Sequence, residues 1–147
     1  MAERKANAEW NGTLKEGAGK IALGSGLFEG AFSFGTRMGE DPGTNPEELL
    51  GASLAGCYAM ALNATLEKEG KPAKSVRTEA KVHLGKDDAG FKITRIDLTV
   101  DAEVDDIDDA AFQATAETVS KACPISKALA SVPIELTATL VRSRTAS

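Results

Sequence analysis

TNPEELLGASLAGCYAMAL, residues 44–62, decides how the rest of the chain is read. It opens as a helix start: Asn45 suits the cap, Pro46 the first helical position, and Glu48 falls three residues after the cap. Leu49, Leu50, Leu54, Tyr58, Met60, Ala61 and Leu62 then spread round the cylinder, with Gly51, Ala52, Ser53, Ala55 and Gly56 between them. A helix apolar on nearly every face is a buried, central one, and its small residues let neighbouring backbones approach closely. Glu67, Lys68 and Glu69 form a polar last turn, Gly70 supplies a stop and Pro72 lies just beyond. The helix is therefore expected from Pro46 to about Glu69. Cys57, one of two cysteines in the chain, sits in its middle.

Before this helix, KANAEWNGTL (5–14) alternates loosely and contains Asn11-Gly12, a hairpin turn signal. KIAL (20–23) and AFSFGTR (31–37) are two more short strand candidates, completing a small antiparallel meander. Glycines 24, 26 and 30 are spaced G-x-G-x-x-x-G, one residue too long for a dinucleotide loop, and no strand-then-helix unit follows at once. After the helix, Val76, Thr78, Ala80, Val82 and Leu84 alternate with Arg77, Glu79, Lys81 and His83. The turn GKDDAGF (85–91) leads to 93–104, where Ile96, Leu98, Val100, Ala102 and Val104 alternate with charged and polar residues. These segments predict a long hairpin with one solvated face. Acidic residues at 105, 106, 108 and 109 precede a second helix with Phe112, Ala116, Val119 and Cys123 on one face. Pro124 breaks that ladder, and ISKALA continues as a kinked or separate short helix. A last alternating strand covers 133–141, and 142–147 are expected to fray. The order is β-β-β-α-β-β-α-β: an α+β fold with antiparallel sheets and two central helices, in a single domain over 1–147.

At 147 residues, 42% hydrophobic and 27% charged, the composition is ordinary for a globular protein. The net charge of −5 and scattered lysines and arginines disfavour a nucleic-acid surface. The longest apolar run, 49–62, is 14 residues, short of the roughly 20 of a membrane span. MAERKANAEW has no apolar core, so no signal peptide is expected, and a cytoplasmic protein is. In that reducing setting two cysteines are either inert buried thiols or a working redox pair.

Taken alone, a free cysteine on an apolar face is most simply packing. Chemistry needs a cation or helix N-terminus to lower the thiol pKa, access for a substrate, and a second thiol within disulfide reach. Arg37, at the end of FGTR and close to the helix entrance, is the best cation for a thiolate, although most arginines simply face water. Glu47 and Glu48 both have a bland account in the helix dipole. Glu48 lies nine residues, about 900° of rotation, before Cys57 and so projects from the opposite side, while Glu47 is about 15 Å away along the axis. The single histidine, His83, sits on a polar strand face, which makes a His-based metal site or a Cys–His nucleophile unexpected. Ser25 lacks a nucleophile elbow.

FGTR at Arg37, TNPEELLGASLAGCYAMAL at Cys57, DAGFKITRIDL in the hairpin and ACPISKAL at Cys123, in this order and over nearly the whole chain, resemble the OsmC/Ohr family of osmotically inducible and organic-hydroperoxide-resistance proteins. TNPEEL and DAGF resemble the OsmC branch more than the Ohr branch. The resemblance implies an intertwined homodimer and a thiol-dependent peroxidase acting on organic hydroperoxides. It assigns Cys57 as the peroxidatic cysteine, Cys123 as the resolving cysteine, Arg37 as holder of the thiolate and Glu47 as the carboxylate that orients Arg37. No cofactor or metal is implied, and the reductant would be a dithiol, in the family a protein-bound lipoyl group. No nucleic-acid or membrane partner is implied. Leu50, Leu54, Tyr58, Met60 and Phe32 or Phe34 are the expected apolar lining.

Two other readings use the same residues. One is a non-catalytic dimeric stress or ligand-binding protein with an apolar interface pocket; the other is a thiol hydrolase or acyl carrier using Cys57 alone, which leaves Cys123 idle and lacks a general base. The roughly 15 Å rise from Glu47 to Cys57 leads to one further expectation: Glu47 with Arg37 completes the site around Cys57 of a second copy.

Overall fold

A computed structural model describes residues 2–141, which divide between Leu49 and Leu50 into two compact units. The first holds an antiparallel sheet in the order β1 (Ala6–Asn11), β2 (Ala18–Leu23), β3 (Glu29–Phe32). Gly19 of β2 stands opposite Trp10 on one side and Phe32 on the other. Having no side chain, it lets those rings approach to 5.4 Å between centroids. Asn11-Gly12 does not form a two-residue hairpin. Gly12, at φ +98°, opens a longer connection closed by the Gly17 amide donating to the Thr13 carbonyl at 2.8 Å.

The expected third strand is cut short. The strand β3 stops at Phe32, and FGTR belongs to a short helix, α1 (Phe34–Met38). The cause is local. Ser33 Oγ accepts from the Thr36 amide at 3.2 Å while Thr36 Oγ1 accepts from the Ser33 amide at 2.8 Å, a reciprocal cap that outweighs the weak alternation.

The long helix, α2 (Pro46–Lys68), starts in the first unit and continues through the second. Asn45 Oδ1 accepts from the Glu48 amide at 2.7 Å as the sequence requires, but the Glu48 carboxylate accepts from Thr44 Oγ1 at 2.8 Å instead of returning to the cap. At the other end Gly70, at φ +77°, donates to Glu67 and Lys71 donates to Leu66, the paired bonds of a Schellman stop. Asn63 and Thr65 do not interrupt it. The helix is longer than the apolar run inside it, and its best 18-residue window has a mean hydropathy of 1.4, enough to cross a membrane by length and composition alone.

In the second unit β4 (Ala73–Asp87), β5 (Gly90–Val104) and β6 (Ile134–Val141) form a sheet in that order. The β4–β5 hairpin is antiparallel, but β6 runs parallel to β5, contrary to the expectation of wholly antiparallel sheets. The reason is the connection: α3 (Asp109–Ala122) and α4 (Pro124–Ala128) form a helical crossover, which returns the chain to the end where β5 began. With α1 and α4 the order becomes βββααββααβ, an α+β fold. The expected fraying of 142–147 lies outside the described residues.

Ile96, Leu98, Val100 and Ala102 of β5 are wholly buried, together with Phe112 and Ala116 of α3 and Leu54, Tyr58, Leu62 and Leu66 of α2. That i, i+4 row is one edge of α2 only. Ala52, Gly56, Met60 and Ala64, on its opposite side, are exposed, Met60 to 78%. The described residues therefore do not enclose the helix.

Leu98 sits between Ala80 of β4 and Leu136 of β6 with no exposed surface. Leu98→Ala is expected to lower unfolding stability by about 2–5 kcal/mol. Leu27→Ala, at a side chain 89% exposed, should stay within about 0.5 kcal/mol. Urea denaturation of the two variants makes the comparison.

Candidate active site

Cys57 lies on α2 between Leu54 and Tyr58, next to the buried row and itself half-buried. Tyr58 fixes this turn: its hydroxyl, wholly buried, donates to the Ala116 carbonyl of α3 at 2.9 Å. On the far side of Cys57, the Ala55 carbonyl accepts from Thr78 Oγ1 of β4 at 2.8 Å. A helix turn held from both neighbouring elements has little freedom to slide, so the position of the thiol is set by packing.

Cys123 is 1% exposed. It is not on the regular α3 face as the spacing suggested. It is the residue between α3 and α4, with an extended backbone at φ −63° and ψ 139°. Pro124 explains this, since the residue before a proline is driven out of the helical region. The break turns Cys123 toward α2. Its Sγ lies 3.1 Å from Cys57 Sγ across 66 residues of sequence, and both cysteines are free thiols. Loss of both thiol hydrogens to an oxidant, with a further approach of about 1 Å, converts this contact into a disulfide bond.

The two thiols differ in character. Burial pushes Cys57 up, a hydrogen bond from the Ile125 backbone partly offsets this, and the neighbouring Cys123 raises it further. Burial also opposes ionisation of Cys123. There, hydrogen bonds from the Ser126 side chain and backbone, from Cys57 and from the Ile125 backbone prevail, and the thiol lies below its usual range. Ser126 Oγ is 3.5 Å from Cys123 Sγ and Ser126 is buried. One S–H bridges the two sulfurs. With Cys123 as thiol it donates to Cys57; once Cys123 ionises, the remaining proton is on Cys57. Ser126 was not singled out from the sequence. The available signal was its place three residues after a helix-capping Cys123, the spacing at which a first-turn side chain reaches back to the cap.

Arg37 and Glu47 also meet, in the first unit. Arg37 Nε and Nη2 both donate to Glu47 Oε1, at 2.7 and 2.6 Å. The Arg37 side chain is 42% exposed and that of Glu47 11%. Glu47 Oε2 is buried without a hydrogen-bond partner among the described residues. Asn45 holds the frame: its amide donates to the Thr36 carbonyl in α1 while its carbonyl caps α2. The structure thus brings the four expected residues together as two pairs, one in each unit.

Other expectations are placed differently. Leu54 and Tyr58 are core side chains without exposed surface, and Phe32 packs on Trp10, so these three are committed to packing. His83 is on the polar face, its Nε2 2.7 Å from Asp97 Oδ2 and 3.1 Å from Arg95 Nη2. The His83 and Arg95 hydrogen bonds, in that order, hold the Asp97 carboxyl below its usual range. Among the described residues no group of three or more His, Cys, Asp or Glu is placed to hold a metal ion.

The family model for OsmC-like protein matches residues 39–137, which include the thiol pair and Glu47. The chain belongs to the OsmC-like protein family. Peroxiredoxin OsmC of Escherichia coli K12 is 39% identical over 127 residues, covering 86% of this chain and 89% of that protein. The crystal structure of the organic hydroperoxide resistance protein OhrB of Bacillus subtilis superposes with a TM-score of 0.69 at 26% identity, over 92% of this chain and 98% of that one. An OsmC-like protein of Mycoplasma pneumoniae shares the fold at a TM-score of 0.73 and 17% identity, over 95% and 98% of the two chains.

In this OsmC-family chain a mild oxidant should close the Cys57–Cys123 bond within one chain. Thiol counting is expected to fall from two to zero, with no disulfide-linked oligomer on non-reducing gels. Retention of both thiols would remove the pair from consideration.

Proposed function

We propose that the protein is a cysteine-based peroxidase that reduces organic hydroperoxides to alcohols. The observation that carries this reading is the 3.1 Å approach of Cys57 and Cys123, and the 39% identity to a protein named a peroxiredoxin supports it. The Cys57 thiolate attacks the O–O bond. The alkoxide takes a proton and leaves as the alcohol, and Cys57 becomes a sulfenic acid. Cys123 condenses with it, expelling water and forming the disulfide before a second peroxide oxidises the sulfur further. A dithiol then reduces the disulfide by exchange.

Cys57 is the more accessible thiol, yet its surroundings in the second unit push its pKa up. A nucleophile at neutral pH therefore needs a cation. Arg37, held by Glu47, is proposed for that role, stabilising the thiolate and donating to the peroxide. The buried, unpartnered Glu47 Oε2 is consistent with a pair whose surroundings are completed by something else.

A homodimer is part of the proposal. Gly56 lies in the middle of α2, where glycine costs about 1 kcal/mol relative to alanine, and among the described residues a Cβ there would meet no atom within 4 Å beyond its chain neighbours and its own helix backbone. A second copy packed closely on the Ala52, Gly56, Met60 and Ala64 side accounts for the glycine. We further propose that Arg37 and Glu47 of one copy serve Cys57 of the other, and that the protein works in the cytoplasm, where a dithiol pool is present.

Cys57→Ser is expected to abolish alkyl hydroperoxide consumption with a dithiol donor, whereas Cys123→Ser should complete one turnover and then over-oxidise. Full turnover in Cys57→Ser would overturn the reading. Arg37→Met should raise the Cys57 titration, followed by 13Cβ shifts. Dimers reassembled from Arg37→Met and Cys57→Ser chains regain activity if the site is shared between copies, and stay inactive if it is not.

Gly56→Ala separates a packed from an open α2 face. A weakened dimer in sedimentation equilibrium is expected. Unchanged association with a gain of about 0.5–1 kcal/mol in stability would count against the interface.

A further inference from the structure

The peroxide half of the cycle uses Cys57, Cys123 and Arg37 and leaves Ser126 without a task. Yet Ser126 is buried, and its hydroxyl points at the sulfur of Cys123, not at a backbone carbonyl. Serine in the first turn of a helix usually serves that helix; this one serves the residue that precedes it. The two sulfurs are also unequal in access, Cys57 half-buried and Cys123 enclosed at 1% exposure.

Resting on the peroxidase reading above, we infer that Ser126 is a catalytic residue of the regeneration step. Its hydroxyl holds Cys123 Sγ as the leaving thiolate, so that an incoming dithiol is directed to Cys57. In thiol–disulfide exchange the rate depends on which sulfur is attacked and rises as the leaving thiolate is stabilised. One thiolate of the dithiol attacks Cys57 Sγ and forms a mixed disulfide. The Cys57–Cys123 bond breaks, and its electron pair goes to Cys123 Sγ, which receives the Ser126 O–H hydrogen bond and then a proton from solvent. The second thiol of the reductant, its proton lost to solvent, attacks the reductant's own sulfur in the mixed disulfide. That closes the reductant's disulfide and releases Cys57 as a thiolate. Two electrons pass from the dithiol to the protein. The enclosed sulfur is never approached from outside, and the exposed one is returned in its nucleophilic form.

The test separates this step from peroxide reduction. Full-length protein is oxidised to the intramolecular disulfide with diamide and reduced anaerobically by dihydrolipoamide while free thiols are followed. Ser126→Ala is expected to slow reduction roughly 3- to 10-fold, the worth of one hydrogen bond, and Ser126→Thr, which keeps the hydroxyl, to restore it. In the unmodified protein an acid-quenched reaction with excess glutathione should carry the adduct on Cys57 by peptide mass mapping. An adduct on Cys123, or equal rates in the Ala and Thr variants, would overturn the role of Ser126 even if hydroperoxide is consumed normally. Failure of a hydroperoxide to form the disulfide overturns the peroxidase reading instead, and the diamide-oxidised protein still reports on Ser126.

Discussion

One buried hydrogen bond, from the Tyr58 hydroxyl to the Ala116 carbonyl, ties α2 to α3 beside both sulfurs. Burial and the nearby Glu117 and Cys123 push the phenol far above its ordinary range, so it is a protonated donor at neutral pH. Tyr58 directly follows Cys57, and Ala116 lies two helical turns before Cys123. The bond therefore fixes the pitch at which the two helices present their thiols. A slide of one helix by a single turn, about 5.4 Å, would separate sulfurs that now sit 3.1 Å apart. The pair depends on a core that does not yield.

Against that core the two thiols take opposite characters for reasons that lie within a few residues of each. Cys57 is inside a regular helix, whose amides are already used in the helical ladder, so desolvation dominates. Cys123 precedes a helix start, where free amides and the Ser126 hydroxyl are available to it. Pro124 makes the difference by ending α3 and letting α4 begin at once.

Much of this was legible in the sequence. The long helix with Asn45 and Gly70 at its ends and the alternation along β4 and β5 follow from periodicity and caps, and the resemblance to the OsmC/Ohr family rests on its motifs and their order. What escaped has identifiable causes. AFSFGTR (31–37) reads as a strand because Phe32 and Phe34 flank a polar Ser33, but the Ser33–Thr36 reciprocal cap is a stronger local signal. The parallel β6 was hidden because alternation fixes which face is buried and says nothing about strand direction. α2 looked enclosed because its apolar residues surround it, whereas a pattern in sequence cannot say which chain covers each face. Arg37, Glu47, Cys57 and Cys123 were singled out early. Their division into an Arg37–Glu47 pair and a Cys57–Cys123 pair needed coordinates, as did the hydroxyl of Ser126.

The 66-residue separation of the cysteines along the chain has a consequence in the statistics of the unfolded polymer. A bond joining points that far apart removes about 4 kcal/mol of loop-closure entropy from the denatured ensemble. The loop it closes runs from the middle of α2 through β4, β5 and α3, most of the second unit. Oxidation would then act as a reversible clamp on the very core that positions the sulfurs. The dithiol form would be the looser molecule and the disulfide form the one harder to unravel.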